Sequence, residues 1–425
     1  MKVLFLNRFY YPDISATSQI LSDLSRHVAR RTEVHVITSR LAYDGTSERM
    51  PPRECAGGVV VHRVWTSRFG RHSLLGRALD YATFYVSATV RLWALAEPGD
   101  VVVSMTDPPL LSVPAALVAR LRDARLVNWL QDVFPEVAGE LDFKRVPRRV
   151  RNALARLRDR SLAVAACNVA VGEVMAARLA ASGIEAARIR VIHNWSSGRE
   201  IRPLPPEQNP LRREWGLDGK FVVGYSGNMG RAHDFDALLD AAQQLSSRPE
   251  IVFLLIGGGK QRAAVEAEVR SRGLSNVVFR PYQPRELLAR SLTAPDCHVV
   301  SLKPSLEGLI VPSKLYSSLA AGRPVIFIGA QDGEIARLMR AHPGFGVRVD
   351  PADVAGLISV IERLYEDPAR SAALGTRGRR LFESHFDRPI ALAQWTALID
   401  GLRQPAVRVA RTVRRSGDAQ AVLNK

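Results

Sequence analysis

Short runs of β-branched and other apolar residues alternate with longer amphipathic stretches along most of this 425-residue chain. Helical patterns in the first half include residues 19–30 and 110–122. The runs predicted as strands in this half are residues 3–6, 34–38, 59–64, 101–104, 126–129, 169–171 and 189–192. Strands separated by helices in this way are typical of parallel layering, so we predict an α/β protein.

A proline-rich segment divides the chain. Residues 201–210 contain four prolines, and because proline lacks an amide donor and fixes φ, we expect neither helix nor sheet there. We predict that residues 201–212 link a first domain, residues 1–200, to a second, residues 213–400. The final helix could pack back on the first domain, and the basic residues 403–425 are predicted to be disordered.

The alternation resumes after this linker. The predicted strands of the second half are residues 221–225, 252–256, 277–280, 297–301, 325–328 and 346–349, with helices at 236–244 and 313–321. Two successive open α/β domains form a cleft, and ligands of such sheets lie beyond the carboxyl ends of the strands. We therefore predict two Rossmann-like domains facing across a ligand-binding cleft.

Composition narrows the classes of partner. The formal net charge of +17 favours anionic partners such as nucleic acid, lipid headgroups or phosphorylated substrates. Three widely spaced cysteines, Cys55, Cys167 and Cys297, argue against a disulfide framework or a zinc site and suit a reducing compartment. No apolar stretch reaches the roughly 20 residues of a membrane span, so we expect a cytoplasmic protein.

The strongest local signal is a glycine loop between a strand and a helix, Tyr-Ser-Gly-Asn-Met-Gly-Arg-Ala-His at residues 225–233. Gly227 and Gly230 allow close approach of the backbone, the following helix presents free amides to an anion, and Arg231 adds a cation. These features suit a phosphate site. An ordinary glycine turn would use the same residues, so this peptide alone leaves both interpretations open.

Two further segments point to the same cleft. Residues 256–260 place three glycines after the next strand, which is a weak signal by itself. Pro312 precedes a predicted helix that has Ser313 as its N-cap and Lys314 in its first turn. A lysine at that position opposes the helix dipole, and a bound diphosphate would favour it; the alternative is a solvated lysine.

The order and spacing of the second-half motifs resemble the donor domain of the family 4 retaining glycosyltransferases. These motifs are Ser-Gly-Asn-Met-Gly-Arg at 226–231, Gly-Gly-Gly at 257–259, Arg-Pro-Tyr-Gln-Pro at 280–284, Pro-Ser-Lys at 312–314 and Ala-Ala-Gly-Arg-Pro-Val at 320–325. The resemblance implies the two-domain GT-B fold.

The first half is similar to the acceptor domain of the bacterial branch that builds polysaccharide repeat units on a lipid carrier. The matching peptides are Phe-Tyr-Tyr-Pro-Asp at 9–13, Thr-Asp-Pro-Pro at 106–109, Gln-Asp-Val-Phe-Pro-Glu at 131–136 and Val-Ile-His-Asn-Trp at 191–195. The resemblance spans residues 1–400 or so. It implies transfer from a nucleotide-sugar, which we expect to be a UDP-sugar, to a polyprenyl-diphosphate-linked saccharide in surface polysaccharide synthesis.

Roles follow from the resemblance, residue by residue. The donor diphosphate would lie between the glycine loop and the Pro-Ser-Lys segment, with Tyr282 near the base. The residues implied in catalysis are Asp107, Asp132, Arg231 and Lys314. Those implied in donor binding are Gly227, Asn228, Gly230, Arg231, His233, Gly257, Gly258, Tyr282, Glu307, Pro312, Ser313, Lys314 and Ser317.

Glycosyl transfer builds negative charge on the leaving diphosphate while the sugar becomes oxocarbenium-like, and preorganised amides and cations stabilise that charge. Arg231 and Lys314 would replace a divalent metal, so we expect neither a metal nor another cofactor. Asp234 and Asp236 match a metal-binding D-x-D pattern, but acids at the start of a helix are more often caps. His193, at a strand end, is interpreted as structural.

The chain departs from the family pattern at three positions. The second glutamate of the family's pair, which holds the donor ribose, falls at Ser317. The first falls at Leu309, and Glu307 lies two residues early. Gln131 stands where many relatives carry a histidine, which weakens any catalytic role for a histidine there.

The basic residues are concentrated at 143–160, where an apolar stripe with helical spacing is framed by arginines. That pattern is typical of a helix lying on anionic lipid. Residues 74–96 are apolar and aromatic, and could either enter the same interface or form a core helix. We predict a peripheral protein on the inner face of the cytoplasmic membrane, where a lipid-linked acceptor would lie.

Two other functions remain open from the sequence. A nucleic-acid binder would explain the charge, but the chain lacks a recognition module, so no nucleic-acid partner is expected. A nucleotide-sugar epimerase could share the double-Rossmann architecture. A dehydrogenase is disfavoured because Asn-Arg-Phe-Tyr-Tyr-Pro-Asp follows the first strand in place of a G-x-G-x-x-G turn.

Overall fold

The computed structural model describes residues 1–13, 15–41, 50–70, 74–141 and 147–403. Within these ranges, the first sheet comprises β1 (Val3–Leu6), β2 (Val34–Ser39), β3 (Arg53–Ala56), β4 (Val59–Val64), β5 (Val101–Met105), β6 (Arg125–Leu130), β7 (Cys167–Ala170) and β8 (Ile189–Val191). Their order is β3-β4-β2-β1-β5-β6-β7-β8, and neighbours are parallel except β3 and β4.

The second sheet comprises β9 (Phe221–Ser226), β10 (Ile251–Ile256), β11 (Val277–Arg280), β12 (Cys297–Ser301), β13 (Val325–Ile328) and β14 (Gly346–Val349). The order is β11-β10-β9-β12-β13-β14, with parallel pairing throughout. Two Rossmann-like domains are therefore present, as the alternation of strand and helix patterns predicts.

Helices connect and cover the strands. Those before residue 200 are α1 (Ala16–Val28), α2 (Leu74–Leu95), α3 (Ser112–Leu121), α4 (Glu136–Leu141), α5 (Arg148–Val164) and α6 (Glu173–Ala181). Those after it are α7 (Pro210–Glu214), α8 (Asp236–Gln244), α9 (Arg262–Ser271), α10 (Leu288–Thr293), α11 (Lys314–Ala320), α12 (Glu334–Ala341), α13 (Val354–Glu366), α14 (Pro368–His385) and α15 (Arg388–Gly401). No helix in the described ranges has the length and apolar character needed to cross a bilayer.

Both faces of each sheet are buried, which explains why the strands read as continuous apolar runs. Along β1, Val3 and Phe5 enter one apolar cluster, whereas Leu4 and Leu6 enter another. The two-residue period of a strand separates the side chains in this way. The same division places Val222 of β9 in a different cluster from the neighbouring residues of that strand.

The expectation that the proline-rich linker excludes helix is wrong at its end. A 3₁₀ turn spans Pro206–Gln208, and α7 begins at Pro210. Proline is tolerated at the first helical position because its missing N–H would have no partner inside the helix. The Asn209 side chain caps α7 by accepting a hydrogen bond from the Leu211 N–H at 3.1 Å.

The edge strand β3 was not predicted. Its side chains alternate between exposed and half-buried, so it lacks the apolar run by which the other strands are found. It pairs with β4 and covers one edge of the first sheet. The predicted tail lies outside the described residues from position 404 onward.

The last helix returns to the first domain, where α15 contacts α1. Trp395 of α15 packs on Trp129 of β6, with 4.7 Å between the ring centroids. At the start of the same helix, Arg388 forms ion pairs with Asp23 at 3.3 Å and with Glu200 at 2.8 Å. The chain therefore crosses between its domains twice.

The domains also touch at the mouth of the cleft. The Val133 N–H donates to the Leu309 carbonyl at 2.9 Å, and Asp132 forms an antiparallel bridge with Ile310. These backbone contacts fix the loop after β6 of the first domain against the segment that leads into α11 of the second. Asp132 is thereby held against Ile310, which lies two residues before the Pro-Ser-Lys segment.

Candidate active site

Glycine loops at the carboxyl ends of neighbouring strands form one wall of the cleft. The Gly227 N–H donates to the Ile256 carbonyl at 2.9 Å, and the Gly257 N–H donates to the Arg280 carbonyl at 3.0 Å. Gly227 and Gly257 adopt φ of +127° and +131°. A Cβ on Gly257 would lie 2.1 Å from the Gly227 carbonyl oxygen, so this packing requires glycine.

The side chain of Lys314 extends from α11 to this wall. Its Nζ lies 3.0 Å from Tyr225 Oη and 2.8 Å from His233 Nε2. It also lies 4.6 Å from the centroid of the Tyr225 ring. A Cβ on Gly227 would contact Lys314 Cε at 3.3 Å, which places the glycine loop directly beside the aliphatic end of the lysine.

The protein environment makes this cation costly. Burial lowers the pKa of Lys314 to about 7, because an ammonium loses solvation when it is surrounded by protein. Burial, and then the charge of Lys314, lower the pKa of His233 to about 3. The histidine is therefore neutral at physiological pH, and the lysine is the group that can carry charge at this point.

The other predicted donor-binding residues of the glycine loops include exposed side chains. Arg231 and Asn228 are exposed in the loop after β9. Tyr282 is 49% exposed, and its ring lies against Gly258, where a Cβ would come within 3.1 Å of Tyr282 Cε2. The structure thus brings Tyr282 to the second glycine loop.

The predicted N-cap position of Ser313 is confirmed, although its side chain does not act as a cap. Ser313 occupies the position before α11, but its side chain makes no capping hydrogen bond in the described structure. The residue is exposed, whereas Pro312 is buried. Ser317 faces its own helix, and its Oγ donates to the Lys314 carbonyl at 3.0 Å.

Carboxylates face the cleft from the first domain. Asp132 is exposed at the end of β6, yet the surrounding protein, and then the negative charge of Asp107, raise the pKa of Asp132 to about 6. Asp107 follows β5, and its carbonyl accepts a hydrogen bond from the Arg8 N–H at 2.7 Å. The two acids therefore interact electrostatically. They follow β5 and β6, which are neighbours in the first sheet.

Glu307 lies at a helix end rather than on the glycine loops. Its Oε2 accepts a hydrogen bond from the Glu334 N–H at 3.2 Å, at the start of α12. Burial, and secondarily the charge of Glu334, raise the pKa of Glu307 to about 7. Its predicted contact with the donor stays a prediction.

Glu334 in turn connects the domains. Its two carboxylate oxygens accept hydrogen bonds from the N–H groups of Glu173 and Val174, at 3.0 and 2.8 Å, at the start of α6. A carboxylate at a helix N-terminus satisfies amides that lack helical partners. The second domain therefore caps a helix of the first.

The remaining candidates have structural partners. Asp234 Oδ1 accepts from the Asp236 N–H at 3.0 Å, so Asp234 caps the start of α8. His193 Nδ1 lies 3.2 Å from the Val171 carbonyl, and its ring packs edge-on against Phe386. In the described ranges no three His, Cys, Asp or Glu side chains are grouped to hold a metal; metal independence stays a prediction.

Two residues of the Lys314 environment were not selected from the sequence. Tyr225 belongs to the glycine peptide but precedes the glycines, and it was assigned to the strand. Ser301 contributes only its carbonyl, which lies 2.6 Å from His233 Nδ1. A backbone group leaves no signal in side-chain type, whereas a tyrosine at the end of a buried strand beside a glycine loop is a signal that the sequence does contain.

Comparison with known proteins identifies the family. Residues 16–195 match the family described as a glycosyl transferase 4-like domain, and residues 220–367 match the family described as glycosyl transferases group 1. The glycosyltransferase WbjE from Pseudomonas aeruginosa is 30% identical over 341 residues, which cover 78% of this chain and 82% of WbjE. The chain belongs to the family 4 glycosyltransferases. The predicted family is therefore confirmed, and the protein is a transferase.

Other relatives of this glycosyltransferase match along nearly the whole chain. WcaI of Escherichia coli K12, named as a colanic acid biosynthesis glycosyl transferase, is 27% identical over 416 residues, 94% of this chain and all of WcaI. The structure of Anabaena HepE in complex with UDP-glucose superposes with a TM-score of 0.70 at 17% identity, covering 94% of this chain and 100% of HepE. The GT-B fold is thus confirmed.

The contact between the glycine loops gives a first prediction. Gly257→Ala should lower the free energy of unfolding by about 2–4 kcal/mol, since it combines an unfavourable φ with a clash against the Gly227 carbonyl. Gly216→Ala is the matched control, because Gly216 also has positive φ, +71°, but open space around its Cβ position. Calorimetric unfolding should show a loss of about 1 kcal/mol for the control. Equal losses would contradict the proposed close packing.

A second prediction concerns Glu307 and pH. Because its folded-state pKa of about 7 exceeds the ordinary value of 4.5, the protonated form is favoured by the fold, and stability falls as pH rises through this interval. Glu307→Gln removes the charge and should match the wild type at pH 4.5 but melt at higher temperature at pH 8. Glu366→Gln, at an exposed position, should show no such trend. A wild type that gains stability relative to Glu307→Gln between these pH values would refute the assignment.

Proposed function

We propose that this glycosyltransferase transfers a sugar from a UDP-sugar, with retention of configuration and without a metal ion, to a polyprenyl-diphosphate-linked saccharide in surface polysaccharide synthesis. The observation that carries the proposal is the half-buried Lys314 ammonium, held beside two glycine loops in the cleft between the domains. An ammonium in that environment favours an anionic ligand, and a donor diphosphate supplies one.

The proposed donor side supplies positive charge to the leaving diphosphate. As the anomeric C–O bond breaks, negative charge develops on the diphosphate, and a preorganised cation stabilises it. Lys314 is already oriented by its hydrogen bonds, so little reorganisation is required. Arg231, exposed in the adjacent loop, is our second candidate for this role.

The acceptor side supplies negative charge. Asp132 is held by backbone pairing with Ile310, and Ile310 lies four residues before Lys314 in the sequence. A carboxylate there would face the sugar from the side opposite to the diphosphate and stabilise positive charge on the anomeric carbon. Asp107 extends the same negative region, since its charge contributes to the raised pKa of Asp132.

Two of the similar proteins guide the choice of substrates, although other relatives are named as GDP-mannose-dependent mannosyltransferases. WcaI is named for colanic acid biosynthesis, which favours a role in polysaccharide synthesis. HepE is described with UDP-glucose bound, which favours UDP as the nucleotide. Because Ser317 offers no carboxylate to a ribose, the nucleotide preference must be measured directly.

Exposed apolar side chains on α2 and α5 support the proposal of a lipid-linked acceptor. On α2, Phe84, Ala88 and Leu92 are fully buried in the core. One face of α2 therefore packs as a core helix, which is one of the two alternatives predicted for residues 74–96. The opposite face is exposed. The exposed apolar side chains of α2 and α5 are Leu75, Leu79, Val86, Val90, Trp93, Val150, Leu157 and Val164.

The arginines of α5 divide into two groups. Arg148, Arg149, Arg156 and Arg160 are exposed on α5, the helix that also exposes Val150, Leu157 and Val164. Arg158, which the sequence pattern also assigned to the basic face, is buried and pairs with Glu136 at 2.7 Å and Asp159 at 2.8 Å. Residues 143–146 of the predicted lipid-binding segment lie outside the described residues. Exposed arginines framing apolar side chains suit anionic lipid.

The donor site gives the third prediction. Lys314→Ala should reduce turnover at least about tenfold and weaken nucleotide binding, because it removes the cation that faces the leaving group. Turnover is measured by product analysis with a lipid-linked acceptor, and binding by calorimetry with UDP and GDP. Lys220→Ala is the control, since Lys220 lies at the opposite end of β9 and its ammonium donates to the Pro249 carbonyl at 2.9 Å.

Several outcomes would contradict the proposal. Unchanged rates for Lys314→Ala would remove this residue from the mechanism. Activity that is lost in EDTA and restored by Mn²⁺ would refute metal independence. A nucleotide-sugar that is converted equally well without acceptor would favour the epimerase instead.

Membrane binding gives the fourth prediction. The protein should co-sediment with anionic liposomes but not with neutral ones, and salt should weaken the association. Val86→Asp combined with Val90→Asp places two charges on the exposed face of α2 and should abolish most of the binding. Ala263→Asp with Ala267→Asp adds the same charges at the same spacing on exposed positions of α9 and should leave binding intact. Equal recovery with both vesicle types would refute the surface.

A further inference from the structure

The hydrogen bonds around Lys314 form a chain that ends at a backbone carbonyl on each side. His233 Nδ1 lies 2.6 Å from the Ser301 carbonyl, and His233 Nε2 lies 2.8 Å from Lys314 Nζ. Beyond the lysine, Nζ lies 3.0 Å from Tyr225 Oη, and Tyr225 Oη lies 2.8 Å from the Asn228 carbonyl. These two carbonyls determine the direction of every bond between them.

The direction on the histidine side follows from donor and acceptor chemistry. A carbonyl oxygen can only accept, so His233 Nδ1 carries the hydrogen and donates it to Ser301. In the neutral ring, Nε2 then has a lone pair, and Lys314 must donate to it. His233 is 8% exposed, and the neighbouring ammonium disfavours a second ring proton, so this tautomer is fixed.

The same reasoning applies to the tyrosine. Tyr225 is 1% exposed, and its hydroxyl hydrogen is committed to the Asn228 carbonyl. The lone pairs of Oη are therefore the acceptor for Lys314. Because burial raises the pKa of Tyr225, the hydroxyl keeps its hydrogen and the direction does not reverse.

An ammonium has three N–H bonds, and these two acceptors take two of them. Within the described residues, the acceptors of Lys314 Nζ are Tyr225 Oη and His233 Nε2, so the third N–H is available to a ligand. It emerges beside the glycine loop, where a Cβ on Gly227 would lie 3.9 Å from Nζ. The two rings thus restrict the lysine to a single hydrogen-bond direction, toward the cleft.

We propose that His233 and Tyr225 are positioning residues, which hold Lys314 so that one N–H is directed at a donor phosphate and which do not themselves touch the donor. This inference rests on the proposed function, because it requires a phosphate in the cleft. It replaces the predicted direct contact between His233 and the donor, since both ring nitrogens are already occupied. A buried histidine that only fills space is the competing explanation.

Two isosteric variants separate these explanations. Glutamine places its amide near the position of Nε2 and retains an acceptor for Lys314, whereas asparagine places its amide near Nδ1 and retains only the bond to Ser301. With UDP as the probe in titration calorimetry, or GDP if the wild type binds only GDP, His233→Asn should weaken binding about tenfold. His233→Gln should remain within about threefold of the wild type. Thermal midpoints of both variants verify folding.

A double-variant cycle supplies a readout that a space-filling role would not change. If His233 acts through Lys314, then His233→Asn should have no further effect on UDP binding in a Lys314→Ala background. Tyr225→Phe keeps the ring but removes the second acceptor, so it should weaken UDP binding about three- to fivefold. In the Lys314→Ala background it should likewise have no further effect on UDP binding. It provides the same test if the His233 variants fail to fold.

The outcomes are distinct. A wild type that binds no nucleotide would refute the proposed function itself. Nucleotide binding that is unaffected by His233→Asn and Tyr225→Phe, or losses that add fully to that of Lys314→Ala, would overturn only the positioning role. Equal losses for the glutamine and asparagine variants would likewise overturn it.

Discussion

An ammonium group held among neutral acceptors is the interaction on which the rest of the site depends. The residues that bond Lys314 Nζ in the described structure are a tyrosine and a neutral histidine, and neither supplies a compensating charge. Removing a cation from water without an anion is costly, and the pKa of Lys314 falls to about 7 as a result. In the proposed function, a diphosphate beside Lys314 would offset that cost, and the gain would contribute to the affinity for the donor.

The fold creates this environment by bringing loops from several strands to one edge. Parallel strands align their carboxyl ends, and positive-φ glycines let the loops after β9 and β10 pack with backbone against backbone. The opposite wall is fixed by the bridge between Asp132 and Ile310 and by the capping of α6 by Glu334. The site is consequently a property of both domains together.

Much of this arrangement was accessible from the sequence, because it depends on local patterns. Strand and helix periods identified the two sheets, and glycine spacing identified the loops that surround Lys314. Interactions between distant residues were not accessible. In the sequence, Arg158 cannot be distinguished from the exposed arginines of α5. Its burial and its ion pair with Glu136 are seen only in the structure. Glu307 caps a helix that starts 27 residues later, which no local pattern records.

The distribution of charge across the cleft explains how these parts can act together. On the donor side, Ser317 bonds to its own helix, and Glu307 and Glu334 are engaged at helix N-termini. Acidic groups are thus kept from the lysine, as the proposed binding of a donor phosphate by Lys314 requires. On the acceptor side, Asp107 and Asp132 concentrate negative charge. In the proposed reaction, the leaving diphosphate would meet the positive charge of Lys314, and the positively charged sugar would meet the acids of the first domain. The backbone pairing of Asp132 with Ile310 holds these two groups of charges at a fixed distance from each other.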